Sequence, residues 1–235
     1  MRIYQNFMEA LPEIKRDLAE MGIKCHPQTY QDKYIGDNPE YQTLELQNYI
    51  YTVIHPHPED LESTQPWADE EFEERLSGMG GNPRNPGHAW KLRREVWEEF
   101  LELKTGKFAY TYSERLALFD QVSQVIARIV DDPDSRQLFI SIWNQEDATK
   151  LGGLSRVPCS IGYQLQCRKH QLNLTYLQRS ADFVTHFVND IYLAVKLQEL
   201  IAKELECKGI TIPVGTFTHW IGSLHIFKKN AQGVF

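Results

Sequence analysis

The sequence predicts an α+β fold in which a mixed or largely antiparallel sheet is flanked by helices. Stretches of alternating apolar residues occur in neighbouring pairs, as in hairpins, and helical apolar spacing occupies the stretches between them. There is no internal repeat. The 235 residues, of which 42% are hydrophobic, can bury one sizeable core, so we expect a single domain over residues 1–235.

Composition limits the classes of partner. The net charge is −7 and the basic residues are scattered, which is not the pattern of a protein that binds a nucleic-acid polymer. We find neither a secretory signal nor an apolar run of membrane-spanning length. The four cysteines form no CxxC pair, so reduced thiols are expected. These features predict a cytoplasmic protein without a membrane partner.

In the first half of the chain, apolar spacing and turn residues predict alternating helices and a strand. The expected elements are a helix at 11–21 ending at Gly22, a strand at 41–54, a helix at 67–76, a loop rich in Gly and Pro at 80–87, and a helix at 88–104.

In the second half, the same criteria predict two long helices and the strands of a sheet. The expected elements are a helix from Ser113 to the turn at 131–134, a strand at 138–142, a hairpin with strands at 163–167 and 172–176, a helix at 190–206 ending near Gly209, and a strand at 217–227.

Five short motifs follow one another in a fixed order. Val-Trp-Glu-Glu contains Trp97, Pro-Asp-Ser-Arg ends at Arg136, and Arg-Val-Pro-Cys ends at Cys159. Gln-Arg-Ser-Ala-Asp occupies residues 178–182, and Gly-Ser-Leu-His-Ile-Phe occupies residues 222–227. Their order and spacing resemble the thymidylate synthase superfamily, most closely the phage deoxycytidylate hydroxymethylases. The resemblance implies a thymidylate synthase-like fold and a homodimer formed sheet to sheet.

Cys159 is the candidate nucleophile. C5 of a pyrimidine attacks a formaldehyde-level carbon only after a thiolate has added to C6, because that addition makes C5 enamine-like. Such a thiolate needs a lowered pKa, and we expect the guanidinium of Arg179 to lower the pKa of Cys159. The other three cysteines are expected to be structural.

The resemblance also implies how a pyrimidine nucleotide monophosphate is bound. Arginine suits phosphate because its planar fork donates two hydrogen bonds at once. Arg179 and Ser180, in the segment that also supplies Gln178 to the substrate, are expected to hold the 5′-phosphate. Arg136 is expected to reach across the dimer interface to the partner's nucleotide. His225 is expected to bind the sugar 3′-hydroxyl.

The implied one-carbon donor is 5,10-methylenetetrahydrofolate, and no metal is expected. By resemblance, Asp182 hydrogen-bonds the pterin and Trp97 borders it. Two positions depart from the thymidylate synthase pattern. Phe227 replaces a tyrosine of the sugar pocket and so removes a phenol donor. Ser160 replaces a histidine, and hydroxymethylases can carry a small hydroxyl residue there.

The position that reads the base falls on Asp190 when counted without gaps from Gln178. Thymidylate synthases have asparagine there, whose amide pairs with O4 and N3 of uracil, whereas the phage cytosine enzymes have the pair seen here as Asn189-Asp190. A carboxyl group accepts from the cytosine 4-amino group and, when protonated, donates to N3. Cytosine is therefore favoured. A one-residue gap would place Asn189 there and restore uracil, and the pair is also an ordinary helix N-cap.

The general acid/base is expected to be a glutamate on an early helix. Glu74 is the first choice and Glu71 its rival, while an exposed acidic helix face is the plain alternative. Tyr112 is expected to support the same water network.

The product depends on whether hydride or water reaches the exocyclic methylene. The chain ends ten residues after His225, without the longer tail of thymidylate synthases, so we expect a wetter site and a hydroxymethyl product.

These inferences predict a transferase that converts dCMP, 5,10-methylenetetrahydrofolate and water into 5-hydroxymethyl-dCMP and tetrahydrofolate. It would make a modified DNA precursor, in the host cytoplasm if the chain is phage-encoded. The alternatives are a dUMP hydroxymethylase or thymidylate synthase and, from another class, a catalytically silent nucleotide-binding dimer. Retention of Cys159 argues against the silent dimer, because a protein without the chemistry has no need of the thiol.

Overall fold

The structure is a computed structural model that describes residues 1–31, 33–78, 81–83, 88–151 and 155–231. Its strands are β1 (Arg2–Tyr4), β2 (Ile23–Cys25), β3 (Thr29–Tyr30), β4 (Lys33–Tyr34), β5 (Thr43–Val53), β6 (Phe139–Ser141), β7 (Ser160–Arg168), β8 (Gln171–Asp182) and β9 (Val214–Phe227). The main sheet has the order β1-β5-β9-β8-β7-β6, with β2 also paired to β5, and β3 and β4 pair separately.

Helices flank this sheet. They are α1 (Phe7–Met21), α2 (Trp67–Leu76), α3 (Arg94–Trp97), α4 (Tyr112–Ala117), α5 (Gln121–Asp131), α6 (Gln145–Ala148), α7 (Phe187–Cys207) and α8 (Lys228–Ala231). Within the described ranges, no helix is long and apolar enough to cross a membrane. The predicted α+β class, with a mixed sheet flanked by helices, is confirmed.

The sheet is mixed because its two central long strands run parallel. β8 pairs with β9 in parallel, whereas β5 pairs antiparallel with β9 from Thr43 opposite Phe227 to Val53 opposite Phe217. The predicted hairpin joins β7 to β8 through Lys169 and His170, whose φ angles of 53° and 60° lie in the left-handed region. The strand expected at 41–54 is β5, and the strand expected at 217–227 is β9.

The two faces of the sheet differ in burial. Tyr51, His219 and Tyr176 lie side by side on the helix-covered face, and each is almost fully buried. On the opposite face, Ile50, Trp220 and Leu177 form a neighbouring row that is only half-buried. The hydrophobic core therefore lies between the helices and the first of these faces.

The prediction of one helix over residues 88–104 is wrong in length. The chain instead forms short helical turns, and Arg93, at φ −135° and ψ 48°, leaves the helical region before α3 begins. After Phe100 the backbone turns back, with Glu102 bridged to Lys107. Charged residues in this stretch favour a helix locally, but it has no continuous apolar face to bury one. Most of the loop expected at 80–87 lies outside the described residues, which include only 81–83 of it.

The long helix expected from Ser113 is also broken. Phe119 and Asp120 have φ angles of 62° and 48°, and they separate α4 from α5. The side-chain amide of Gln121 donates to the carbonyls of Arg115 and Ser141, each at 2.9 Å. These bonds tie the break to β6. Phe119 is 74% exposed, so the apolar stripe that predicted one helix does not continue through the break.

Candidate active site

One cavity of about 580 Å³ opens where β8 and β9 end and β7 begins. Eight of the residues singled out in the sequence line it together: Trp97, Tyr112, Cys159, Arg179, Ser180, Asp182, Asp190 and His225. Their motifs lie on different elements, and the register of β7, β8 and β9 brings those elements to one end of the sheet.

Cys159 lies immediately before β7 and is held against Arg179 of β8. The backbone N–H of Arg179 donates to the Cys159 carbonyl at 2.8 Å. The Arg179 guanidinium donates to the carbonyls of Pro158, at 2.8 Å, and Val157, at 3.0 Å. One of its nitrogens lies 3.9 Å from the Cys159 Sγ. The backbone before the cysteine therefore fixes the positive charge beside the sulfur.

Arg179 lowers the pKa of Cys159 as expected, but the net shift of that pKa is upward. Burial raises the pKa of this thiol, and the opposing effect of Arg179 is smaller. Asp190 and Asp182 raise the pKa further, while Arg156 lowers it. The free protein therefore carries a neutral thiol, and a proton must leave it before the sulfur can act as a nucleophile.

Asp190, and not Asn189, faces the cavity. Asn189 is held elsewhere, because its Oδ1 accepts from the Thr64 backbone N–H at 2.7 Å and its Nδ2 donates to the Thr64 hydroxyl at 3.1 Å. Asp190 Oδ2 accepts from Gln178 Nε2 at 2.7 Å. The N-cap of α7 is His186, so neither member of the Asn-Asp pair is the cap. Burial raises the pKa of Asp190 to about 6, against a lowering effect of Arg75.

Comparison with known proteins agrees with this geometry. Residues 87–234, more than half of the chain, match the family model described as thymidylate synthase. The chain belongs to the thymidylate synthase family. A relative, the thymidylate synthase of Staphylococcus haemolyticus (strain JCSC1435), is 31% identical over 116 residues. That alignment covers 49% of this chain and 34% of the relative, so the chain spans about a third of the length of the curated relative it matches.

The phosphate-binding residues implied by the thymidylate synthase motifs are divided between the cavity and the surface. Arg179 and Ser180 line the cavity. Gln178 is fully buried, is not among the described residues that line the cavity, and donates to Asp190, which does line it. Arg136 is exposed, on the loop between α5 and β6, and is not among the described residues that line the cavity.

His225 and Phe227 form the expected sugar end. The two rings are in edge-to-face contact, with centroids 5.1 Å apart. Burial lowers the pKa of His225, which keeps its imidazole neutral and able both to donate and to accept a hydrogen bond. Phe227 packs edge-on against Tyr30 and Tyr41. Phe227 therefore belongs to an aromatic cluster with these two tyrosines.

Asp182 and Trp97, which are expected to contact the pterin, line the cavity together with His186. Asp182 Oδ1 accepts from the backbone N–H groups of Val184, at 3.1 Å, and Thr185, at 3.2 Å, which fixes the carboxylate at the start of α7. The Trp97 and His186 rings lie 5.2 Å apart. Trp97 Nε1 is buried and has no hydrogen-bond partner in the described part of the chain.

The glutamate expected to act as acid/base does not reach the cavity. Glu74 accepts from the backbone N–H groups of His88 and Ala89, the latter at 2.8 Å, and so caps the turn that follows. Its rival Glu71 accepts from Arg75 Nε at 2.7 Å. Arg75 lines the cavity, and Glu71 influences the pKa of Asp190. Burial raises the pKa of Glu71 above its usual range. Neither glutamate is among the described residues that line the cavity, and Glu71 differs in being bonded to Arg75, which does line it.

Tyr112 takes part in a buried hydroxyl cluster beneath the cysteine. Its hydroxyl donates to Ser160 Oγ at 3.2 Å, and Ser160 Oγ lies 2.5 Å from the Tyr176 hydroxyl. The guanidinium of Arg75 lies 4.1 Å from the centre of the Tyr112 ring. Ser160, at the position where the resemblance leads one to expect a histidine, therefore forms hydrogen bonds with both tyrosine hydroxyls.

Sequence reasoning missed two cavity arginines, Arg75 and Arg156. Arg156 is 6% exposed and lies 4.3 Å from the Phe100 ring centre and 5.4 Å from the Tyr110 ring centre. Its Nε donates to Gln31 at 3.1 Å. Arg75 lies four residues after Glu71 on one helix, and this spacing predicts an ion pair between them. The spacing does not predict that the pair lies at the cavity.

Proposed function

We propose that this chain hydroxymethylates dCMP at C5, with 5,10-methylenetetrahydrofolate and water as co-substrates and 5-hydroxymethyl-dCMP and tetrahydrofolate as products. One observation carries the choice of base: Asp190 lines the same cavity as Cys159, while Asn189 is bonded to Thr64. A carboxyl group with a pKa of about 6 can supply the proton that N3 of cytosine needs and still accept from the 4-amino group.

Cys159 is the nucleophile of the proposed reaction. The thiol proton passes to solvent water, Sγ forms a bond to C6, and the electron pair of the C5–C6 double bond moves to C5, which can then bond to the one-carbon unit. Loss of the C5 proton and release of tetrahydrofolate leave an exocyclic methylene on the pyrimidine. Water adds to that carbon, and the sulfur leaves C6 to restore the ring. Arg179 stabilises the thiolate at the start and at the end.

The remaining cavity residues bind and orient the substrates. Arg179 and Ser180 hold the 5′-phosphate, and His225 donates to or accepts from the sugar hydroxyl. The folate supplies a carbon at the formaldehyde oxidation level. Asp182 and the ring of Trp97 fit a pterin, because such a ring system carries donors at its edge for the carboxylate and an aromatic face for the indole.

Glu71 is proposed as the acid/base in place of Glu74. Burial raises its pKa, which favours a protonated carboxyl group, and Arg75 connects it to the cavity wall. The hydroxyls of Tyr112 and Ser160 provide hydrogen bonds for an ordered water, which the hydroxymethyl product requires.

We propose further that two copies associate through the half-buried face of the sheet. A row of three apolar residues on this face, Ile50, Trp220 and Leu177, would be covered by the same face of the partner. Arg136 is exposed and is not among the described residues that line its own cavity, as expected of an arginine that binds the partner's nucleotide. A cytoplasmic protein making a DNA precursor, in a host cell if it is phage-encoded, fits this activity.

Methylation of dUMP is the second candidate. It is supported by the similarity to a protein named thymidylate synthase. An ionised Asp190 could accept from N3–H of uracil but has no proton to donate to O4. Hydroxymethylation of dUMP and a silent nucleotide-binding dimer are the remaining alternatives.

The test is mass spectrometry of purified protein incubated with 5,10-methylenetetrahydrofolate and either dCMP or dUMP. A gain of one hydroxymethyl group on dCMP, absent with Cys159→Ser, is the expected result. Turnover confined to dUMP would refute the role given to Asp190, and the mass of the product would separate methylation from hydroxymethylation. Binding of both nucleotides without turnover would indicate the silent dimer.

A further inference from the structure

A chain of hydrogen bonds runs from Asp190 into the interior of the sheet. Gln178 Nε2 donates to Asp190 Oδ2 at 2.7 Å, and Gln178 Oε1 lies 3.0 Å from His219 Nε2. On its other side, His219 Nδ1 lies 3.1 Å from the Tyr51 hydroxyl. Tyr51, His219 and Gln178 are each fully buried and lie on β5, β9 and β8.

Aromatic rings on both sides fix the His219 imidazole. The Tyr176 ring is stacked on it with centroids 4.6 Å apart and an interplanar angle of 14°. The Phe187 ring is nearly parallel at 5.8 Å and 12°. Burial lowers the pKa of His219 to about 3, so the ring is neutral and has one N–H and one lone pair.

The donors and acceptors along this series of hydrogen bonds allow the bonds to run in one direction only. Because Gln178 directs its carbonyl oxygen at His219, the histidine proton is on Nε2, and Nδ1 must accept. The Tyr51 hydroxyl then donates to Nδ1, and burial raises the Tyr51 pKa so far that this proton stays in place. Each hydrogen bond therefore points towards Asp190, and the last one reaches Oδ2.

We propose that Tyr51 and His219 are positioning residues that set the base specificity of the cavity, an inference that rests on the proposed function. They hold the Gln178 amide with its N–H towards Asp190, so that Oδ2 remains an acceptor and the carboxyl proton is confined to Oδ1. A carboxyl group in that state accepts from the 4-amino group through Oδ2 and donates to N3 through Oδ1, which is the complement of cytosine.

The opposite direction of the chain gives the wrong pattern. If the Gln178 amide were turned over, Oε1 would face Asp190 and the carboxyl proton would move to Oδ2 to bond with it. His219 would then be protonated on Nδ1 and would donate to Tyr51. Asp190 would offer the base acceptors alone, and N3 of cytosine would have no donor.

The first test needs no substrate. Nitrogen NMR of protein labelled with ¹⁵N-histidine should show His219 protonated on Nε2 and unprotonated on Nδ1 throughout pH 5–9, because the two nitrogen states have distinct chemical shifts. A proton on Nδ1, or a cationic ring in this range, would overturn the proposed direction of the chain.

The second test compares two tyrosines of the same strand. Tyr51→Phe removes the donor to His219, whereas the control Tyr49→Phe removes a hydroxyl that donates to Asp17, at 2.6 Å, away from the cavity. Dissociation constants of dCMP and dUMP should give a preference for dCMP that falls roughly tenfold in Tyr51→Phe, since a buried acceptor loses its donor. The control should keep the wild-type preference.

Tyr51→Phe tests the hydroxyl group alone. Tyr51→Phe preserves the ring and its packing, and equal melting temperatures for the two variants would confirm that both fold. If Tyr51→Phe discriminates as well as Tyr49→Phe, the positioning role is refuted while the proposed function stands. If the wild type binds neither nucleotide, or prefers dUMP, the proposed function fails first.

Discussion

Replacing Asp190 by asparagine is expected to move the preference of the cavity from dCMP to dUMP. To read uracil, the introduced side-chain amide must place its NH₂ group at the Oδ2 position, which faces the 4-substituent of the base, and Gln178, whose N–H lies 2.7 Å from the present carboxylate oxygen, must turn its amide over to accept from it. The introduced NH₂ group then donates to O4 of uracil, and the introduced oxygen accepts from N3–H. With cytosine, the NH₂ group faces the 4-amino group and the oxygen faces N3, so two pairs are mismatched.

The size of the change follows from those two contacts. A buried polar group left without a partner costs about 1–3 kcal/mol, and two mismatches partly relieved by water leave about 2–4 kcal/mol. The ratio of the dCMP and dUMP dissociation constants should therefore change by roughly 30- to 700-fold. In the wild type, dCMP affinity should also fall as the pH rises above the Asp190 pKa, because the complex with cytosine holds one additional proton.

Equilibrium binding of each nucleotide from pH 5 to 8 measures both effects. Asn189→Asp is the matched control, because it changes the neighbouring residue, which contacts Thr64 and not the cavity. The control should retain the dCMP preference and its pH dependence. An Asp190→Asn variant that still prefers dCMP, with an unchanged pH dependence, would show that the base is read elsewhere.

Three further changes have distinct expected outcomes. Cys159→Ser should lower turnover by at least about 1000-fold while the nucleotide dissociation constant, measured by equilibrium dialysis, stays within about twofold. Glu71→Gln should lower kcat about 100-fold. Glu74→Gln should leave kcat nearly unchanged and lower the free energy of unfolding by about 1 kcal/mol, because it removes a cap. The reverse result would return the acid/base role to Glu74. Asp190→Asn should become more stable relative to the wild type as the pH rises from 4 to 7, by up to about 3 kcal/mol in urea unfolding. The sign follows because folding raises the Asp190 pKa from 3.8 to about 6, so wild-type stability is lost as the pH rises through that interval.

The strands were predictable because their pattern is local. Alternating residues of the β7–β8 hairpin, such as Leu165 and Leu174, are buried as the period of two requires. The helices expected at 88–104 and from Ser113 were predicted less well, because each contains a break that depends on distant groups. Gln121 reaches the carbonyl of Ser141, and Glu74 caps the turn at Ala89. Neither contact can be predicted from the residues of the broken helix alone, because each contact also needs a group from another part of the fold.

The cavity was predictable where motif residues lie next to each other on strands. The difference between Glu71 and Glu74 was not, since both lie on one short acidic helix and only their partners distinguish them. The pKa of Cys159 could not be predicted either. Proximity of Arg179 was foreseen from the motifs, but the burial that outweighs it depends on the whole wall of the cavity.

The position of β5 within the sheet determines whether the protein can be shortened at its N-terminal end. Similarity to the family begins at residue 87, yet the sheet interposes β5, residues Thr43–Val53, between β1 and β9. A fragment starting at 87 would leave β9 as a bare edge, with a ladder of unpaired N–H and C=O groups from Phe217 to Phe227 open to other chains. We infer that residues 1–235 form one cooperative unit, and that fragments cut at the similarity boundary would self-associate through this edge instead of yielding a smaller enzyme.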